Sequence, residues 1–118
     1  MYSALSKASK YSTGSIISNT NPIKIYCQGG TYTWNTTWYP AGHRNIQVYG
    51  GFDSSFNWNT RQPISNPTII NGNGTSQKFL YNTSFAHVTI DGFKFINFYS
   101  QLWWCYSYYY HTGYTGNW

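Results

Sequence analysis

A chain of 118 residues has room for one domain or part of one. Asp53 and Asp91 are its only acids and seven Lys/Arg residues leave a net charge of +5, so Asn, Ser, Thr and Tyr supply the polar surface in place of ion pairs. The 22% aromatic content excludes a disordered chain, no apolar run reaches transmembrane length, and the singly scattered cations do not make the basic patch of a nucleic-acid partner.

In chain order, the sequence first predicts an N-terminal capping helix over residues 1–11. Ala4, Leu5 and Ala8 share one face of it and Ser3 stands at the N-cap. The run Met1–Lys7 lacks the apolar stretch of a signal peptide, so a targeting segment is expected outside this chain. A Ser/Thr/Asn-rich connection to Pro22 follows. Strand Ile23 to Gln28 then ends at Gly29-Gly30, and Thr31 to Trp34 continue beyond it. A polar loop leads to the second strand, Asn45 to Tyr49, closed by Gly50-Gly51. Phe52 to Asn66 form a longer excursion, with Phe56 and Trp58 as its anchors. The third strand runs from Pro67 to Asn71 into a Gly72-Asn73-Gly74 turn, with Phe79-Leu80-Tyr81 as a second strand at the same level. The fourth, Val88 to Asp91, turns at Gly92 and continues as Phe93-x-Phe95-x-x-Phe98. Residues 99–118 form an aromatic-rich tail without alternation. It is expected either to cap the C-terminal end or to be the truncated or frameshifted end of a longer stack.

Four of these strands share the pattern apolar-x-apolar-x-Gly, or its Thr68 variant, and Gly29, Gly50, Gly72 and Gly92 stand 21, 22 and 20 residues apart. A strand and a glycine turn recurring at that interval predict an all-β solenoid: a right-handed parallel β-helix of about four rungs over residues 12–98. Alternation then turns Ile25, Cys27, Ile46, Val48, Thr68, Ile70, Val88 and Ile90 inward. It stacks two outward columns, Tyr26, Gln47, Ile69 and Thr89 in one, and Gln28, Tyr49, Asn71 and Asp91 in the other.

Gly30-Thr31-Tyr32, Val48-Tyr49-Gly50-Gly51-Phe52-Asp53, Asn66-Pro67-Thr68-Ile69-Ile70-Asn71-Gly72 and Val88-Thr89-Ile90-Asp91-Gly92-Phe93-Lys94-Phe95 carry a family likeness. With Ala4-Leu5-x-x-Ala8-Ser9 they resemble the N-terminal region of pectate-lyase-like right-handed parallel β-helix surface proteins, of the polymorphic outer membrane protein type. The resemblance spans residues 2 to 98. It implies an architecture more than an activity, because that fold carries lyases, hydrolases, adhesins and passenger domains alike.

Little reactive chemistry accompanies these motifs. Glycoside hydrolysis needs two carboxyl groups at a set separation, and a calcium site needs six to eight oxygens. Asp53 and Asp91 fall at different phases on separate strands, so Asp53 is expected in a turn and Asp91 beside one, bonding local backbone amides. No catalytic residue is expected. His43, His87 and His111 have no partner at ligand spacing, and two cysteines make no metal centre, so no metal or cofactor is expected and Cys27 reads as a buried thiol. Gly92-Phe93-Lys94-Phe95-Ile96-Asn97-Phe98 resembles an RNA-recognition signature. Asp91 and Lys94 depart from it, however, and the two helices of that fold are missing, so no nucleic-acid partner is expected.

The function expected is a noncatalytic module, secreted or at the cell surface, used for adhesion or carbohydrate contact. Exposed Tyr and Trp beside Asn, Gln and Asp can stack on sugar rings and bond their hydroxyls. Tyr49, Asn71 and Asp91 are the candidate ligand-binding residues, although the same column also reads as a structural ladder. Two alternatives stand beside it. One is an N-terminal fragment of a polysaccharide lyase or hydrolase with its carboxylates on later rungs. The other is a structural protein that self-associates end to end.

Overall fold

Apolar residues at every second position drive this chain into strands. The computed structural model describes residues 22–39, 45–75, 78–82, 87–99, 103–105, 110–111 and 115–116. Among them the strands are β1 (Ile23–Gln28), β2 (Gly30–Thr33), β3 (Asn45–Phe52), β4 (Thr68–Thr75), β5 (Leu80–Asn82), β6 (His87–Asp91), β7 (Phe93–Phe98), β8 (Trp103–Cys105), β9 (Tyr110–His111) and β10 (Thr115–Gly116). One parallel sheet has β1, β3 and β6 as its principal strands, and two-residue β9 extends it. A second has β2, β4 and β7, extended by two-residue β10, and β5 pairs with β8 apart from both.

This is not a four-rung right-handed β-helix with a capping helix. The third motif strand, β4, does not stack on β3 but lies in the other sheet, between β2 and β7. Sequence separation shows why the even glycine spacing misleads. In the first sheet Ile25 faces Val48, 23 positions on, but Val48 faces Ile90, 42 positions on. In the second, Tyr32 faces Ile70 after 38 positions and Ile70 faces Phe95 after 25. The interval of 20 to 22 residues mixes steps within a sheet with steps between sheets, so the solenoid-repeat and parallel β-helix descriptions fall with the rung count. Among the described residues there is no α-helix, only a 3-10 turn at Trp58–Thr60. The helix expected over 1–11 lies outside the described residues, as does most of the 99–118 tail.

The assignment of faces holds. Ile25, Cys27, Ile46, Val48, Thr68, Ile70, Val88 and Ile90 are all buried between the sheets. Cys27 is a free thiol that burial pushes up to about 12, so it stays protonated in the core. The second sheet contributes Phe93, Phe95 and Phe98 to the same cluster. Phe95 and Phe98 face inward although three positions apart, because Asn97 between them takes a left-handed conformation (φ 57°) and resets the alternation. Phe79 fills the space beside them, its ring centre 4.8 Å from Trp34 and 4.9 Å from Phe95. Each such ring is worth about 1.5–3 kcal/mol on leaving water.

Thr68 is the one polar residue of the inward set, and its hydroxyl joins the sheets. It accepts from Gly51 N–H of β3 at 2.9 Å and donates toward the Gln28 carbonyl of β1 at 3.0 Å. Thr68→Val keeps the shape but leaves the Gly51 N–H without its acceptor. The expected loss is about 1–3 kcal/mol in urea unfolding, with the denaturant slope unchanged. A loss under about 0.5 kcal/mol would show that the hydroxyl does not carry this junction.

Candidate functional site

The outer face of the first sheet carries Tyr26, Tyr49 and Asp91 in one row, since Tyr26 pairs with Tyr49 and Tyr49 with Asp91. Two of the three expected site residues, Tyr49 and Asp91, are therefore brought together. Asn71 is not. It belongs to β4 in the second sheet, where its side-chain oxygen accepts from Asn73 N–H at 2.9 Å and from the Asn97 amide at 3.0 Å. Tyr26 takes its place in the row. Aligning Gly29 with Gly50 sets the first strand two positions out, because β1 pairs with β3 at a separation of 23 and not 21, Tyr26 facing Tyr49.

Residues 53–67 leave β3 and fold back over this row. Asp53 opens the excursion as a turn residue, its carboxylate accepting from the Ser55 hydroxyl at 2.5 Å and the Ser55 N–H at 2.9 Å. Those two bonds, with a smaller one from Thr60, hold the carboxyl below the usual carboxylate range. Asn57 then caps the 3-10 turn by accepting from Asn59 N–H, and this sets Trp58 down on the tyrosines. The Trp58 ring stands nearly perpendicular to Tyr49 at 4.9 Å, to Phe52 at 5.2 Å and to Tyr26 at 5.6 Å. Its indole N–H donates to the Tyr26 hydroxyl at 3.1 Å.

Arg61 closes the cluster. Its Nε donates to the Gly50 carbonyl at 2.7 Å, and its Nη2 to the Asp91 carboxylate. The guanidinium carbon lies 5.2, 5.5 and 5.6 Å from the ring centres of Trp58, Phe52 and Tyr49, within cation–π range of all three. Asp91 thus answers a cation 30 positions away, a partner that its place beside the Gly92 turn does not announce. Phe56 and Trp58 carry the excursion's aromatic contacts as the sequence suggests. Tyr26, Phe52 and Arg61 were missed. A lone arginine in a polar stretch gives no local sign of a partner on another strand.

Among the described residues no three His, Cys, Asp or Glu side chains gather to hold a metal, and no helix is long and apolar enough to cross a membrane. Comparison with protein-family models, curated proteins and solved structures finds no match. The resemblance to pectate-lyase-like surface proteins therefore rests on its motifs alone.

Two outcomes test this geometry. The Tyr49 phenol is held above the ordinary tyrosine range, first by partial burial and then by the Asp91 carboxylate and Tyr26, with Arg61 opposing. The fold favours neutral Tyr49. That contribution is complete below the ordinary tyrosine pKa of about 10 and is lost as pH rises through the higher folded value. Absorbance titration near 295 nm is expected to show a late-ionising phenol that Tyr49→Phe removes; an unchanged profile would place Tyr49 in solvent. Asp91→Asn leaves Arg61 without its countercharge, with side-chain exposures of only 12% for Arg61 and 24% for Asp91. The expected cost is about 1–3 kcal/mol by chemical denaturation, largely retained at high salt because the pair is shielded.

Proposed function

We propose that this chain is a noncatalytic module that contacts carbohydrate through the outer face of its first sheet, at the cell surface or outside the cell. The observation that carries the reading is the corner made by Tyr26 and Trp58, whose exposed rings meet at 83° and are locked by the indole-to-phenol hydrogen bond. The C–H face of a sugar ring can lie on one ring while its hydroxyls reach the exposed Asn57, Asn59 and Thr60 beside it. Rings fixed before binding lose little freedom on contact, so even a small platform retains affinity. The acids support a noncatalytic role, because Asp53 is engaged by Ser55 and Asp91 by Arg61. Hydrolysis of a glycoside would need two carboxyl groups facing one bond.

The test follows the Trp58 indole N–H resonance while neutral tetrasaccharides of β-1,4-glucan, β-1,4-mannan and α-1,4-glucan are titrated in turn. At least one is expected to move it saturably. Trp58→Ala then weakens binding at least about tenfold, or 1.4 kcal/mol, whereas Tyr39→Ala, on an exposed ring that packs against Tyr81 instead, leaves it unchanged. No response from any of the three, or an equal loss with Tyr39→Ala, would overturn the reading.

A further inference from the structure

Beneath the exposed corner lies the pocket that the Arg61 guanidinium fills. Its walls are Tyr49 and Phe52 of β3 and Trp58 of the excursion, its floor is the Gly50 carbonyl, and its far end is the Asp91 carboxylate of β6. This set of groups matches one chemical species. Ring faces attract a flat cation, a carboxylate fixes its charge, and a carbonyl placed for a second N–H selects a forked donor over a spherical ammonium. We propose that this pocket is a guanidinium receptor in its own right and that Arg61 is its tethered occupant.

The division of parts supports this. Tyr49 pairs with Asp91 and Phe52 with Gln28, and Gly50 between them is packed against Gly92 and Thr68, so these groups stay in place without Arg61. Trp58 is also held independently of Arg61, by its bond to Tyr26 and by the Asn57 cap. The excursion has further ties beyond the arginine, from Gln62 N–H to the Gly51 carbonyl at 2.9 Å and from the Asn66 amide to the Phe52 carbonyl at 3.2 Å. Removing the Arg61 side chain therefore vacates the pocket and leaves its walls standing. A partner carrying an arginine side chain has the matching chemistry, but in the native chain it competes with Arg61 at an effective concentration in the millimolar range or above. The inference concerns this inner pocket and not the exposed faces offered to sugar, so each can fail without the other.

The probe is N-methylguanidinium chloride, titrated against sodium chloride and tetramethylammonium chloride at equal ionic strength, with the Trp58 indole resonance and the melting temperature as readouts. In Arg61→Ala the guanidinium is expected to shift the resonance saturably and raise the melting temperature toward the native value. Half-saturation should come at least tenfold lower than any response of the native chain, and tetramethylammonium should do neither. Arg61→Gln, which retains an amide donor for the Gly50 carbonyl, is titrated alongside in case the alanine variant folds poorly. Recovery of folded alanine variant only in the presence of the guanidinium also supports the proposal. Absence of a saturable response in both variants, or an equal response to tetramethylammonium, overturns it.

Discussion

A Cβ on Gly50 would lie 2.6 Å from the Gly92 carbonyl oxygen and 2.7 Å from the Thr68 hydroxyl, closer than any side chain can sit, so three segments meet at this corner only because a glycine stands there. Gly51 continues the corner with a φ of 85°, its N–H passing to Thr68 and its carbonyl to Gln62. The Gly50 carbonyl points the other way, to Arg61. Two consecutive residues without side chains therefore connect the first sheet, the second sheet and the excursion through one run of backbone. The core side chains fill the space between the sheets, but this corner fixes how the sheets approach and where the excursion begins and ends.

Among the described residues, two aromatic clusters lie on opposite sides of the first sheet. Inside, Trp34, Trp38, Phe79, Phe93, Phe95 and Phe98 join the aliphatic residues in the buried core. Outside, Tyr26, Tyr49, Phe52 and Trp58 form a separate cluster around a charge. Taking a guanidinium out of water costs several kcal/mol. The three rings return about 0.5–2 kcal/mol each, and the carboxylate and carbonyl add charge-assisted hydrogen bonds. These terms nearly cancel. What Arg61 contributes is position more than stability: a hydrophobic residue there would pack, but it would not choose Gly50 and Asp91 as its contacts.

Much of this was legible in the sequence at the level of strands and faces. Every residue expected to turn inward does so, because period-two alternation is a property of each strand alone. The pairing of strands was not legible, since it depends on which sheet the chain enters after each turn. Gly72 follows a strand in the same local pattern as Gly50, yet β4 crosses to the other sheet after the long excursion, and only the register of Thr68 against Gly30 and Phe93 reveals it. The outer site failed in part for the same reason. Its row needed the 23-residue register of β1 on β3, which places Tyr26 beside Tyr49, and the crossing of β4 into the second sheet, which takes Asn71 elsewhere. Trp58 was visible as an anchor because a large ring in a polar stretch must find cover. Arg61 gave no such sign.

Scarcity of charge ties the surface to this interior arrangement. With only two acids in the chain, spending Asp53 on a turn and Asp91 on Arg61 commits both described carboxylates to intramolecular bonds. The first sheet then presents Lys24 on the same face as Tyr26, two positions away along β1, where the strand's period brings side chains to one side. On the proposed reading, recognition at this face rests on ring faces, hydroxyls and amides, with positive charge at its margin. Such a surface gains little from long-range steering and depends on the rings being held still before contact. The Tyr26 hydroxyl and the Asn57 cap hold Trp58 in place, while the part-buried guanidinium behind the rings keeps its charge on Asp91.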